Sequence, residues 1–183
     1  MLETPTTSRY SYTFSEEDAE RAAKEWGCNC GPTALAFATR RHIEAVKDAI
    51  PCFTEKGYTS PTMMKAGLAN LKVKYRAMLC ARNADSLLGE LDQSLSLVRI
   101  QFTGPWTAPG MNPKWAYWHT HWIAAWREVS SMMLSATVFD VNGGIRLLTD
   151  WEDKILPALA SGQKRDGGYF PTHVWRIIGT SEY

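Results

Sequence analysis

Residues 26–34 read WGCNCGPTA, and this short stretch joins two segments that carry the signals of α-helices. Upstream, residues 15–18 (SEED) match a capping box, which predicts a helix that ends at Gly27. Downstream, Pro32 suits the first turn of a helix, and the good helix formers TALAFATRR follow it. The stretch therefore predicts a tight turn that places Cys30 at the start of a second helix.

The pattern changes from helices to strands further along the chain. A helix is expected between Arg41 and Pro51, and Ser60 followed by Pro61 predicts the start of another. The predicted strands are LKVKYRAML, SLVRIQF, HWIAAW, ATVFDVN and THVWRII. Between them we expect a short helix in ADSLLGELDQS, a long loop in GPWTAPGMNPKWAY and a helix over residues 148–160.

Helices first and then mostly strands with short connections are typical of an α+β domain with a predominantly antiparallel sheet. The sequence has no internal repeat and no stretch of linker composition. We therefore expect one domain over residues 1–183, with residues 1–14 as a loose N-terminal arm.

The composition disfavours several classes of function. The formal net charge is +1, which gives no field to attract nucleic acid or an anionic membrane. The four cysteines are too sparse for a disulfide scaffold, and no apolar run is long enough to span a membrane. We expect a cytoplasmic protein without bound nucleic acid, in which Cys52 and Cys80 lie in the core.

Cys30 is the candidate nucleophile. Unpaired amides and the helix dipole at a helix start favour the thiolate over the thiol. Gly31 allows a substrate to approach the backbone closely, and the amide of Cys30 can donate to an oxyanion. Cys28 and Cys30 have no second pair at zinc-site spacing, so no metal site is expected.

A base and its orienting group are predicted on two later strands. His119 and His121 would share one face of a strand, and His121 is preferred because a more apolar segment follows it. Asp140 lies in an apolar strand, where a buried carboxylate needs a partner such as an imidazole. Asn142 shares its face and is the alternative orienting group.

These residues resemble a known family. The segment NCGPTALA is similar to the nucleophile helix of papain-like cysteine peptidases, especially the branch of bacteriocin leader-cleaving peptidases. The segments GYTSPTMMKAGL, QFTGPWTAPG and HTHWIAAW are also similar to uncharacterised phage and prophage proteins of this type. The resemblance implies a papain-like fold and a catalytic triad in the chain order Cys30, His121, Asp140.

One position departs from that family, in which a glutamine before the nucleophile donates to the oxyanion. Six residues before Cys30 the chain has Lys24. Asn29 and Gln101 are the candidate amide donors in its place. The candidate walls of a substrate cleft are Trp26, Trp106, His119 and Trp122.

The sequence thus predicts a cysteine hydrolase without a cofactor that acts on an amide or isopeptide bond of a peptide or protein. If the protein is phage-encoded, we expect it in the cytoplasm of the bacterial host. Two alternatives stay open. One is a catalytically inactive papain-like domain used for binding or phage assembly, which Lys24 favours. The other is a transglutaminase-like acyl transferase.

Overall fold

The chain folds as helices packed against one antiparallel sheet. A computed structural model describes residues 13–27, 29–78, 87, 89, 91–129, 134–161 and 165–180. The helices that precede the first strand are α1 (Glu16–Trp26), α2 (Cys30–Thr39), α3 (Ile43–Ala49), α4 (Phe53–Lys56) and α5 (Pro61–Asn70). The later ones are α6 (Pro113–Ala116), α7 (Leu148–Lys154) and α8 (Leu156–Ala160).

Local capping explains where the first helices begin. The Ser15 hydroxyl accepts from the Asp18 amide, and the Asp18 carboxylate accepts from the Ser15 amide, so the predicted capping box is confirmed. Gly27 ends α1 in the left-handed conformation, with φ of 71°. Ser60 caps α5, and Pro61 is its first residue, as predicted.

The six described strands form one sheet in the order β1-β6-β2-β3-β4-β5. They are β1 (Val73–Met78), β2 (Ser96–Phe102), β3 (Thr120–Val129), β4 (Leu134–Asp140), β5 (Gly144–Leu147) and β6 (Tyr169–Thr180). Every pair of neighbours is antiparallel. Strand β6 lies between β1 and β2. Strand β1 therefore joins the sheet only through its pairing with β6. The predicted α+β class with an antiparallel sheet is confirmed.

Two apolar clusters cover the two faces of the sheet, because side chains alternate along each strand. The α2 cluster joins the α2 side chains to strand residues that include Leu97, Trp122 and Phe139. The Trp151 cluster joins Trp151 of α7 to the neighbouring strand residues, such as Val98. Helix α2 is buried from Gly31 to Thr39, as expected of a central helix that is apolar all round.

Several sequence predictions need correction or lie outside the described residues. The short strand β5 was not predicted, and the helix expected over residues 148–160 is interrupted at Ile155. Cys52 is exposed in the turn after Pro51, so its placement in the core is wrong. Cys28, Cys80, residues 1–12 and five residues of the ADSLLGELDQS segment (84–86, 88 and 90) are not among the described residues.

Two residues at the end of the expected N-terminal arm are described, and both contact the domain. The Thr13 hydroxyl donates to the carbonyl of Arg41. Phe14 is buried and makes an edge contact with Phe139, at 5.9 Å between ring centroids. The chain is thus anchored on the α2 cluster just before α1 begins.

Candidate functional site

The carboxylate of Asp140, the last residue of β4, is the best-defined polar group of the interior. It is fully buried and accepts hydrogen bonds from three residues. The Nε2 atom of His121 lies 3.0 Å from both carboxylate oxygens. The Trp151 indole donates to Oδ2 at 2.7 Å, and the backbone and side-chain amides of Asn142 donate to Oδ1 at 2.8 and 3.0 Å.

These contacts keep Asp140 ionised. Burial raises the pKa of the carboxyl group, but the charge and hydrogen bond of His121, with those from Asn142 and Trp151, lower it to about 2. An ionised carboxylate only accepts hydrogen bonds, so Nε2 of His121 carries the hydrogen. The Nδ1 atom is the position of this ring left for proton exchange.

The structure distinguishes the two candidate histidines. His121 is the second residue of β3, and its ring lies beside Phe102 in the Trp151 cluster. His119 precedes the strand, in the 3-10 turn Tyr117–His119, and its ring stacks on Trp106. The assumption that both histidines lie in one strand is therefore wrong, and of the two histidines only His121 has a described hydrogen bond to Asp140.

The structure also assigns different contacts to the two candidate orienting groups. Asp140 contacts the imidazole of His121, whereas Asn142 contacts Asp140 with both of its amide groups. Asn142 therefore fixes the carboxylate that holds the ring. The sequence did not identify Trp151, which supplies the remaining donor, because it is eleven residues away on α7.

Cys30 is the first residue of α2 and is partly exposed. Its side chain packs against the α2 cluster. The next residue, Gly31, lies so close to Thr59 that an added Cβ would be 2.3 Å from the Thr59 hydroxyl oxygen. The carbonyl of Thr59 in turn accepts from the indole of Trp122 on β3. The start of α2 is thereby fixed above the first residues of β3.

Cys30 and His121 approach the same end of the sheet from its two sides. Trp122 belongs to the α2 cluster, so the preceding residue, His121, points to the other face. A pocket of about 650 Å³ at this end is lined by Asn29, Asp140 and Asn142, together with the start of α1 and the β4–β5 turn. The residue before the candidate nucleophile thus shares a pocket with the carboxylate that holds the candidate base.

The other predicted side chains have mostly structural contacts. The Gln101 amide donates to the carbonyls of Phe102, Ala116 and His119, which holds the loop before β3. The Asn29 amide donates to the carbonyl of Ala19. Both amides are thus engaged with backbone carbonyls of the protein.

The predicted aromatic cleft walls point largely inward. Trp106 is 9% exposed and donates to the Phe102 carbonyl, while Trp122 is 2% exposed. Trp26 is partly buried against Phe53. The exposed aromatic side chains of this region are instead Trp115, Tyr117 and Trp118.

Arg99 is a residue of this region that the sequence analysis did not single out. It lies on β2 between Val98 and Ile100, which face the Trp151 cluster, so its own side chain faces α2. It is 6% exposed, and the pKa of the guanidinium is lowered by burial, while nearby Tyr117 and Cys30 raise it. A charged residue inside the apolar stretch SLVRIQF was the signal for it in the sequence.

The described residues lack two further kinds of feature. They contain no group of three or more His, Cys, Asp or Glu side chains arranged to hold a metal ion. Within the same part of the chain, no helix has the length and apolar character needed to cross a membrane.

Comparison of the sequence with protein-family models and with curated proteins gives no match to either.

Proposed function

We propose that the protein is a cysteine hydrolase that cleaves an amide bond with Cys30 as nucleophile, His121 as general base and Asp140 as orienting group. The observation that carries the proposal is the buried His121–Asp140 pair, with 3.0 Å between Nε2 and each carboxylate oxygen. This contact fixes the tautomer and the orientation of an imidazole, as a hydrolase triad requires.

The surroundings of Cys30 support its role as the nucleophile. It occupies the first turn of a ten-residue helix, where unpaired amides and the helix dipole stabilise a thiolate. The first turn of α2 has no acidic residue that would oppose this effect. Arg99 adds a positive charge on the same side of the sheet.

The reaction follows from these roles. The Cys30 thiolate attacks the acyl carbon, a C–S bond forms, and the C–N bond breaks as His121 passes a proton to the leaving amine. Water then attacks the thioester, His121 accepts its proton, and the carboxylic acid leaves. This transfer requires Nδ1 of His121 and the Cys30 sulfur to come within hydrogen-bond reach of each other at the end of the sheet.

The direct test is the rate at which iodoacetamide alkylates each cysteine of the native protein, followed by peptide mass spectrometry. At about pH 6 an ordinary thiol is almost wholly protonated, so an activated Cys30 should react about tenfold faster than exposed Cys52. His121→Ala should remove that advantage. His119→Ala, which removes a histidine that stacks on Trp106, is the matched control and should leave it unchanged.

The proposal fails if Cys30 reacts no faster than Cys52, or if the His121 and His119 variants have the same rate. His121→Gln, which keeps a hydrogen-bonding side chain for Asp140, serves if the alanine variant does not fold. A peptide carrying a thiol-reactive group gives the second readout, because it should label Cys30 in the wild type and not in Cys30→Ser.

A further inference from the structure

We infer that Arg99 binds a carboxylate of the substrate beside Cys30, so that the hydrolase acts on amides whose acyl part carries a free carboxylate. This inference rests on the proposed function for the identity of the nucleophile. It names the substrate class of the same site, and it makes Arg99 a specificity-determining residue.

The first argument is that Arg99 is a buried cation with no carboxylate partner among the described residues. Its side chain is 6% exposed, yet no carboxylate of the described residues lies within ion-pair distance of it. One terminal nitrogen donates to the Thr172 hydroxyl at 3.2 Å, and Nε is buried without a hydrogen-bond partner within the described part of the chain. Burial of an incompletely bonded guanidinium is costly, so the position of Arg99 calls for an explanation.

The second argument is the charge of its neighbours. His173 lies opposite Arg99 in the β2–β6 register, and the pKa of His173 is lowered by burial and by the charges of Arg99 and Lys65. The lowering by Arg99 and Lys65 reflects a positive potential around His173, which favours an anion there. Lys65 adds a second positive charge on the same side of the sheet, over the ring of Trp175. The groups around Arg99 thus favour an anionic ligand.

The third argument is the position of Arg99 relative to Cys30 and to solvent. Arg99 pairs with Trp122 in the β2–β3 register. The Trp122 indole donates to the Thr59 carbonyl, and Thr59 packs against Gly31 at the start of α2. On its outer side Arg99 is covered by Tyr117, whose ring centroid lies 5.4 Å from the guanidinium carbon and which is 59% exposed. Displacement of this exposed side chain is the route by which a carboxylate would reach Arg99.

A guanidinium binds a carboxylate with two parallel hydrogen bonds, which fixes the ligand more strictly than a lysine would. An acyl group held in this way would present its carbonyl carbon to a fixed sulfur. Arg99 would thus select substrates by charge, while the near-neutral chain gives little long-range attraction.

The test compares the rates at which two alkylating agents of similar size, one anionic and one neutral, react with Cys30 and with Cys52. Iodoacetate carries a carboxylate and iodoacetamide carries a neutral amide, and both lose iodide to the thiolate. At low ionic strength, we expect the ratio of the iodoacetate rate to the iodoacetamide rate to be about tenfold higher at Cys30 than at Cys52. A difference of about tenfold corresponds to the free energy of about one hydrogen bond to a charged group. Arg99→Gln should abolish this preference, and Arg99→Lys should retain part of it.

Arg21→Gln is the control, since it removes the same charge from the exposed surface of α1. The inference is overturned if the two cysteines have equal ratios, or if Arg99→Gln slows both reagents equally, which would mean that Arg99 only stabilises the thiolate. If Arg99→Gln does not fold, acetate added to the wild type should slow the iodoacetamide reaction at Cys30, and acetamide should not. Equal effects of the two additives also overturn it.

The outcome is separable from that of the proposed function. His121→Ala should change the absolute rates at Cys30 and not the ratio of the two reagents. A preference for iodoacetate that persists while His121→Ala has no effect on rate would support the carboxylate site and refute the triad.

Discussion

Replacement of Asp140 by asparagine should destabilise the protein in a pH-dependent way. The folded-state pKa of about 2 lies below the ordinary value of 3.8. One pKa unit corresponds to about 1.4 kcal/mol, so ionised Asp140 contributes roughly 2 kcal/mol to the free energy of unfolding at neutral pH. The asparagine side chain also places an amide nitrogen, itself a donor, against the hydrogen-bond donors that surround Asp140. The expected decrease in the free energy of unfolding is therefore about 2–4 kcal/mol.

The sign of the pH dependence follows from the direction of the shift. Because the folded pKa is the lower one, the contribution is complete above the unfolded pKa and is lost as the pH falls through the folded pKa of about 2. The difference between wild type and Asp140→Asn should therefore be constant near neutral pH and should shrink between about pH 4 and pH 2.

Urea unfolding followed by tryptophan fluorescence measures both quantities. Asp150→Asn is the matched control, because Asp150 is an exposed carboxylate paired with Lys154 and such surface pairs contribute little. A difference for Asp140→Asn that is as small as that of the control would refute the assignment of a buried, paired carboxylate. A large difference that does not shrink at low pH would refute the linkage to its ionisation.

Three further predictions concern the elements that position the site. Gly31→Ala should lower the free energy of unfolding by about 1–3 kcal/mol in urea unfolding, because the new Cβ would lie 2.3 Å from the Thr59 hydroxyl oxygen. Gly179→Ala is the control: its Cβ would meet nothing within 4 Å, so the free energy of unfolding should be nearly unchanged. Ser15→Ala removes the capping box of α1 and should lower the unfolding free energy by about 1 kcal/mol in the same measurement. Gln101→Leu removes the side-chain donor to the Ala116 and His119 carbonyls, so limited proteolysis should cut residues 103–119 faster than in the wild type, and an unchanged rate would contradict the anchoring role.

Sequence patterns predicted the elements whose signals are local. The side chains of Ser15 and Ser60 accept hydrogen bonds from backbone amides three positions later, so the residues that determine each helix start lie within one turn of the sequence. The strand over SLVRIQF was predicted because its apolar residues form a short run, and the structure buries all seven of its residues. The brief strand β5 was not predicted because its four residues are only partly buried or exposed, and its position depends on pairing with β4.

The environment of each candidate site residue was less predictable than its chemical type. Trp106 was a candidate cleft wall, and the structure turns its indole inward onto His119 and the Phe102 carbonyl. The exposure of an aromatic ring depends on how its loop packs, which periodicity does not encode. Trp151 and Arg99 were missed for the same reason, since their importance comes from residues distant in the chain.

By itself, the sequence determined the class of the protein: helices at the start, strands afterwards, and a cysteine at the entry of a buried helix. Only the tertiary structure decided that β6 lies between β1 and β2 and that His121, rather than His119, meets Asp140. It also placed Arg99 on the α2 side of the sheet, where no carboxylate of the described residues pairs with it. Helix caps and alternation act between neighbours in the chain, whereas strand order and the pairing of buried charges depend on contacts that form when distant segments pack.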